Sequence, residues 1–421
     1  MKNKIELVKS GRFLELFKLF RVLLDQFFIS VSTLLTTIIL ARVYDKDLYA
    51  DYILLVSVAL FTFGLQNSII SKPYAINQTD FKHERRFNYY YFNLYAKLAF
   101  SILILLSFPI IYFLVFGDLK ASRLFPYLIY IIAYNFYFFI KEMLLSERKT
   151  TQNLWNGLFC SLSLITLLIY IYYSKEDNIN FFLIITSSIY LIVTAIYFFK
   201  NLKLTKFFKG ELIKYFFTNW KVGKWLLGTS FLFQLSSGLF PWLLLYLTTK
   251  SDIAIYGVLI SVSSIINPVL LALSSYLLPL FVKFNLDDKK IRTLVNKWTL
   301  VFGIMAMCLV VLGYLFGQDL ITLFFGRKYS DLGFIVVMPF IAQAVTVLFQ
   351  AFNISLKAIK RTDVEFWINI PTSILTVVIG YFSVLNHGLL GVFYTIIFKN
   401  LFYNILQYIF YLRLFRTKRV V

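Results

Sequence analysis

Long apolar runs alternate with short polar breaks along this chain, and the runs set its architecture. Twelve of them approach or exceed the roughly 20 residues a helix needs to cross a hydrocarbon core of about 30 Å. They fall at 20–41, 52–70, 91–116, 124–145, 154–173, 181–199, 225–247, 253–282, 298–317, 332–356, 366–386 and 388–412. Barrel strands alternate polar and apolar residues over about ten positions; unbroken runs predict helices. The expected fold class is all-α, a polytopic membrane protein of about 12 transmembrane helices. The run 253–282 is long enough to tilt or bend, and Pro268 and Pro279 supply places for a bend.

Composition narrows the class. Of 421 residues, 59% are hydrophobic and only 15% charged, against roughly 25% charged in a soluble domain. That excludes a soluble enzyme, a secreted disulfide scaffold and a disordered chain. Cys160 and Cys308 lie inside apolar runs as small hydrophobes. With two histidines they make no zinc site, and no cofactor is expected. The formal net charge is +21. With the N-terminus inside, lysine and arginine concentrate in the inner loops and the outer loops are near neutral. This predicts cytoplasmic termini, an uncleaved first span, and attraction to anionic membrane lipid; no nucleic-acid partner is expected.

The inner stretch 200–224 interleaves Lys200, Lys203, Lys206, Lys209, Lys214, Lys221 and Lys224 with Phe207, Phe208, Phe216 and Phe217. An amphipathic segment lying on the membrane is expected there. It divides the chain into an N-terminal six-helix lobe (1–199), a basic linker (200–224) and a C-terminal six-helix lobe (225–421). A weak repeat supports the division: Lys46…Tyr52-Ile53-Leu54-Leu55-Val56-Ser57-Val58 echoes Lys250…Tyr256-Gly257-Val258-Leu259-Ile260-Ser261-Val262. Two parallel lobes are a transporter plan with a site near the midplane.

Charged groups within spans mark candidate chemistry, because they cost several kcal/mol unless they face protein or water. Lys399 is the deepest, near the middle of the last span. Lys97 lies about six residues into the third span, within snorkelling reach of the inner interface. Asp25 is a candidate ion-coupling group, with Arg21 one turn before it and able to pair with it. Arg42, Lys72 and Lys357 sit at span ends and can meet an anionic head group. Lys141 and Glu142 read as anchors. Gln343, Gln350 and Asn353 form a polar stripe suited to a cavity wall. Tyr127, Tyr130, Tyr134 and Tyr137 stripe span four, where lipid-interface belts or sugar stacking are both open. Asp45-Lys46-Asp47 has the form of an acidic metal-phosphate motif, the one hint of a polymerase or glycosyltransferase.

Several loose signatures coincide in order: Leu40-Ala41-Arg42…Tyr49-Ala50-Asp51-Tyr52, Gly223-Lys224-Trp225, Ile255-Tyr256-Gly257 with Pro279, Phe325-Gly326-Arg327-Lys328-Tyr329, Lys357…Lys360-Arg361 and Gly388-Leu389-Leu390-Gly391. Together they resemble the Wzx-type polysaccharide flippases of the MATE-like multidrug/oligosaccharidyl-lipid/polysaccharide exporter superfamily. This chain lacks that family's glycines and proline between the first two spans. The resemblance implies a non-enzymatic transporter in the bacterial inner membrane. It would carry an O-antigen or capsule repeat unit on undecaprenyl pyrophosphate to the outer leaflet by alternating access. Expected partners are that lipid-linked oligosaccharide and, from the family alone, a polysaccharide polymerase and a chain-length regulator. Lys399 and Lys97, then Arg42, Lys72 and Lys357, are the expected contacts for pyrophosphate or sugar. A drug/cation antiporter of the same superfamily is the alternative within transport. One intramembrane carboxylate against two lysines favours an anionic substrate.

Overall fold

A computed structural model describes residues 2–81, 84–117, 120–201, 211–283, 288–358 and 363–417. Among them every regular element is a helix: α1 (Lys2–Val43), α2 (Lys46–Gln66), α3 (Lys72–Asn77), α4 (Glu84–Phe116), α5 (Ala121–Ser146), α6 (Thr150–Ser174), α7 (Ile179–Asn201), α8 (Leu212–Ser237), α9 (Phe240–Leu247), α10 (Lys250–Ser263), α11 (Asn267–Lys283), α12 (Asp288–Phe325), α13 (Met338–Leu348), α14 (Gln350–Ala358) and α15 (Asp363–Thr417). Ten helical stretches are long and apolar enough to cross a membrane. The pair α8–α9, bent by 41°, makes an eleventh.

The last stretch is two crossings. At 55 residues, α15 would extend about 80 Å if straight, far beyond one bilayer. The chain turns back at Gly388 (φ 55°, ψ −132°). A Cβ placed on Gly391 would stand 2.0 Å from the Ser383 carbonyl oxygen, whereas eight residues of straight helix span about 12 Å. The expected spans 366–386 and 388–412 are thus the arms of one hairpin, and with α8–α9 counted as one span the described helices suffice, by length and apolarity, for twelve crossings. The long run 253–282 also bends where a proline permits. A 3-10 turn at Ser264–Ile266 joins α10 to α11 just before Pro268.

Packing sorts the chain into two units, Met1–Thr36 with Leu55–Phe231, and Thr37–Leu54 with Leu232–Val421. The boundaries fall inside α1, α2 and α8, so the units are discontinuous in sequence. Residues 37–54, in the N-terminal half by position, pack with the C-terminal half. Of the linker stretch 200–224, residues 202–210 lie outside the described residues, and 212–224 form the start of α8.

In the first unit α5 packs along α7. The tyrosine stripe forms that seam: Tyr130, Tyr134 and Tyr137 gather around Tyr190 at ring-centroid distances of 6.4, 6.1 and 4.9 Å. Tyr130 and Tyr137 are buried, so this part of the stripe is helix–helix packing and not an interface belt. Near the start of α4, Tyr89 donates to the Asn219 side chain, and Asn219 donates to Asn93 Oδ1 at 2.7 Å. In the second unit α12 packs on α13, and α11 on α14, around Phe281, Ile291, Val295, Phe302 and Val347.

The second unit also contains a reciprocal clasp. Arg42, ending α1, donates from Nε to the Phe324 carbonyl at 2.6 Å and from Nη2 to the Leu323 carbonyl, at the end of α12. Lys328, just beyond α12, donates to the carbonyls of Arg42 and Tyr44 at the end of α1. Each helix terminus has unpaired carbonyls and a negative dipole end, and each receives the other's cation. Burial lowers the Lys328 ammonium below its ordinary value, and Asp45 opposes that. Two of the sequence signatures are therefore halves of one contact. The echoed segments both open a helix behind an N-cap: Asp45 Oδ1 accepts from Leu48 N at 2.7 Å, and Thr249 forms a capping box with Asp252. Lys250 then pairs with Asp51 at 2.7 Å.

Candidate functional site

Asp25 is fully buried in the first unit, but Arg21 is not its partner. Lys141 of α5 donates to both carboxylate oxygens at 2.6 and 2.7 Å, and Asn153 of α6 donates at 2.8 Å. Arg21 instead donates to Thr151 Oγ1 at 2.6 Å and lies 5.0 Å over the Phe17 ring. The reason is local. A Cβ on Gly157 would fall 1.8 Å from Asp25 Oδ1, so the absent side chain makes room for the carboxylate against α6. Lys141, expected as an interfacial anchor, is the counter-ion that reaches this pocket.

Lys97 departs from expectation as well. It is 0% exposed, and its Nζ has no hydrogen-bond partner among the described residues. It does not snorkel. The ammonium stands 4.4 Å over the Phe136 ring and 5.8 Å from that of Phe100, an aromatic box in place of a carboxylate. Elsewhere in the unit a π-turn at Asn67–Ser71 interrupts the second span, a feature that often accompanies functional sites. Both amide atoms of Gln66, Asn67 Oδ1 and Ser71 Oγ are buried there without a partner among the described residues. Buried polar atoms of this kind are ordinarily satisfied by water or ligand.

Lys399 lies in the second unit, about eleven residues past the Gly388 turn. That is roughly 16 Å along the helix, near the centre of a 30 Å core. Its Nζ donates to Ser237 Oγ at 2.6 Å and to the Ser236 carbonyl at 3.4 Å. No carboxylate lies within ion-pair distance of it among the described residues. Ser236 and Ser237 end α8, where the span breaks before α9. A broken helix leaves its last carbonyls without helical partners and turns a negative dipole end into the membrane interior. Irregular backbone survives at that depth only when it is buried in protein or lines a cavity. Lys399 satisfies this end from the neighbouring hairpin arm, and Phe233 adds a ring 6.0 Å away.

The remaining candidates divide clearly. Gln343 donates to Asn267 Oδ1 at 2.7 Å and Gln350 to Ser274 Oγ at 2.8 Å. The seven-residue spacing repeats on both strips, so the pair is a ladder between parallel helices. Asn400 ties the hairpin arm to the Ala342 carbonyl at 3.0 Å and to Thr346 at 3.2 Å. Arg42 is engaged in the clasp. Lys357 is half exposed and pairs with Glu365 at 3.3 Å; Lys72 is exposed. Asp45 is a helix N-cap, and no group of three or more His, Cys, Asp or Glu suited to a metal occurs among the described residues. Ser236 and Ser237 are among the polar residues within spans that the sequence marks as candidates for a wet cavity, but sequence reasoning did not single out Gly157, the bond of Ser237 to Lys399 or the partnership of Lys141 with Asp25. Each depends on a contact between helices distant in sequence.

No family model matches the chain. Solved structures share its fold. An inward-facing multidrug resistance MATE family transporter of the MOP superfamily superposes with a TM-score of 0.68 at 13% identity, covering 93% of this chain and 96% of that one. The lipid II flippase MurJ, in an inward closed conformation, gives 0.67 at 14% identity, covering 91% and 85%. The protein is thus an all-α, multi-pass membrane protein with the fold of MOP-superfamily transporters. Among curated proteins, the capsular polysaccharide biosynthesis protein CapF of Staphylococcus aureus is 25% identical over 270 residues, which are 62% of this chain and 66% of that protein. The match spans just under two thirds of that relative's length.

Proposed function

We propose that this protein is a flippase moving a lipid-linked saccharide, carried on a polyprenyl pyrophosphate such as undecaprenyl pyrophosphate, across the bacterial cytoplasmic membrane by alternating access. Both termini face the cytoplasm in this reading, as the distribution of basic residues implies. The carrying observation is the state of the intramembrane charges. Asp25 is neutralised by Lys141, while Lys399 and Lys97 have no carboxylate partner among the described residues. The surplus charge within the spans is positive, which suits an anionic substrate and not a cationic drug. The similarity to a capsular polysaccharide biosynthesis protein points the same way.

A pyrophosphate with sugars cannot enter hydrocarbon unaided, but its lipid tail can remain in the bilayer. Lys399 is the central contact. Its bond to the Ser237 hydroxyl joins a cation to a neutral oxygen, and a phosphate oxygen in the same place adds the Coulomb attraction of a full negative charge. Substrate arrival therefore exchanges Ser237 for phosphate, and departure lets the lysine return to the broken end of α8. Lys97, held by ring faces alone, is a second candidate, and exposed Lys72 and Lys357 are weaker ones. Coupling to an ion through Asp25 would require the bond to Lys141 to open during the cycle. A polysaccharide polymerase and a chain-length regulator are the partners this role anticipates.

The test is leaflet assignment of the lipid-linked saccharide with a membrane-impermeant sugar probe, in cells carrying Lys399→Ala. The variant is expected in the membrane at normal level, with single repeat units trapped on the cytoplasmic side and surface polymer lost. Lys399→Arg is expected to retain part of the activity. Normal export by Lys399→Ala would sink the assignment.

A further inference from the structure

We infer that the first packing unit carries a second site, separate from Lys399, that binds a phosphorylated saccharide at the cytoplasmic ends of its helices. The site is a cavity of about 690 Å³, within the 300–1,000 Å³ of ordinary ligand pockets. Tyr74, Tyr90 and Tyr197 line its interior and Arg86, Lys149 and Lys200 are among its other lining residues. The loops it opens beside follow spans two, four and six, which the basic-residue distribution assigns to the inside.

The lining is built, and not a scatter of surface lysines. Tyr74, Tyr90 and Tyr197 are 1%, 8% and 1% exposed. The Tyr90 and Tyr197 hydroxyls are 3.0 Å apart. One donates to the other, so the second hydroxyl proton remains for a ligand oxygen. Glu147, the one carboxylate of the lining among the described residues, accepts from Tyr74 at 3.1 Å and pairs with Lys149 at 2.7 Å. Arg86 donates to Gln78 Oε1 at 3.1 Å, which uses one of the five N–H donors a guanidinium carries. Three cations against one engaged carboxylate make the cleft a receptor for an anion, and arginine's fork suits phosphate. Tyrosine faces and hydroxyls suit the C–H faces and hydroxyls of a sugar ring. The phosphate half stands on the cations; the saccharide half rests on the proposed function.

Calorimetry on the full chain in micelles of a neutral detergent tests this, with glucose 1-phosphate, dodecyl glucosyl phosphate, dodecyl phosphate and glucose as probes. Binding of a glucosyl phosphate is expected, with glucose silent, and Arg86→Gln combined with Lys149→Gln should weaken it at least about tenfold. Both side chains are substantially exposed, so the double variant should fold. Tyr197→Phe should weaken binding a few-fold. Binding of the dodecyl compound alone assigns the ligand to the membrane; equal binding of glucose 1-phosphate assigns it to solution. Failure of both glucosyl phosphates to bind, or unchanged affinity in the double variant, overturns the site. Equal affinity for dodecyl phosphate overturns the saccharide half. The Lys399 export test is independent of these outcomes, so failure of one reading is distinguishable from failure of the other.

Discussion

Asp25 and Lys399 occupy comparable positions, one charge deep in a span of each packing unit, yet they are held in opposite ways. Asp25 has a counter-ion on both oxygens, a third donor from Asn153, and a glycine cleared for it on α6. Lys399 has a serine hydroxyl, a long bond to one carbonyl and the end of a broken helix. The first arrangement is complete without a ligand. The second satisfies the ammonium with neutral groups only and can be bettered by an anion. A charge inside a membrane therefore does not by itself indicate a substrate site; the quality of its resident partners decides.

The comparison breaks most visibly at Asp25. Removing one member of a buried ion pair leaves an uncompensated charge, at a cost of about 3–5 kcal/mol. Asp25→Asn is expected to lower the thermal unfolding midpoint of the detergent-purified protein strongly. Pairing it with Lys141→Met should recover most of the loss, since well-packed neutral replacements of buried pairs are often tolerated. Lys399→Met should shift the same midpoint far less. If Asp25→Asn melts like the parent, the pair is not the closed structural element described above.

Gly157→Ala approaches the same pocket without touching a charge. The added methyl would stand 1.8 Å from Asp25 Oδ1, and three hydrogen bonds prevent the carboxylate from withdrawing. Overpacking of this kind costs about 1–3 kcal/mol. The expected result is a clearly lowered midpoint. In Asp25→Ala, where the clashing oxygen is gone, Gly157→Ala should cost much less. Equal effects in the two backgrounds would show that the glycine serves some other contact.

These cases also show what the sequence could reveal. Helix number, the bend before Pro268 and the hairpin at Gly388 follow from apolar run length and from proline and glycine chemistry, which are local. The depth of Lys399, Lys97 and Asp25 was legible for the same reason. Their partners were not. Arg21 lies four residues from Asp25 on one helix face, whereas Lys141 lies 116 residues away, and only tertiary packing chooses between them. Lys97 has the length to snorkel, but Phe136 and Phe100 hold it in. The signatures at 40–42 and 325–329 gave no sign that each caps the other's helix.

That clasp yields a smaller effect within the second unit. Charged groups at helix C-termini contribute about 0.3–1 kcal/mol at partly exposed sites. Arg42→Ala and Lys328→Ala are each expected to lower the midpoint modestly. Because the two cations bond to opposite helix ends of one contact, their double variant should lose less than the summed single losses. Strict additivity, measured in the same melts, would mean that the two caps act separately. Export that fails in Arg42→Ala at unchanged stability would instead return Arg42 to the substrate contacts.

The smallest effect belongs to the amide ladder of α11 with α13 and α14. Interhelical hydrogen bonds inside membranes average about 0.6 kcal/mol, and Gln343→Leu removes one donor while leaving Asn267 a neighbour of similar shape. The midpoint should move by little more than experimental error, and export should stay near normal, because Gln343 and Gln350 already face protein partners at 2.7 and 2.8 Å. This is where polar groups that lock helices part from polar groups that await a ligand. A stripe residue whose loss leaves stability intact but stops export belongs with Lys399. If Gln343→Leu gives that result, the Gln343–Asn267 bond is one the substrate replaces during the cycle, and the stripe lines the path after all.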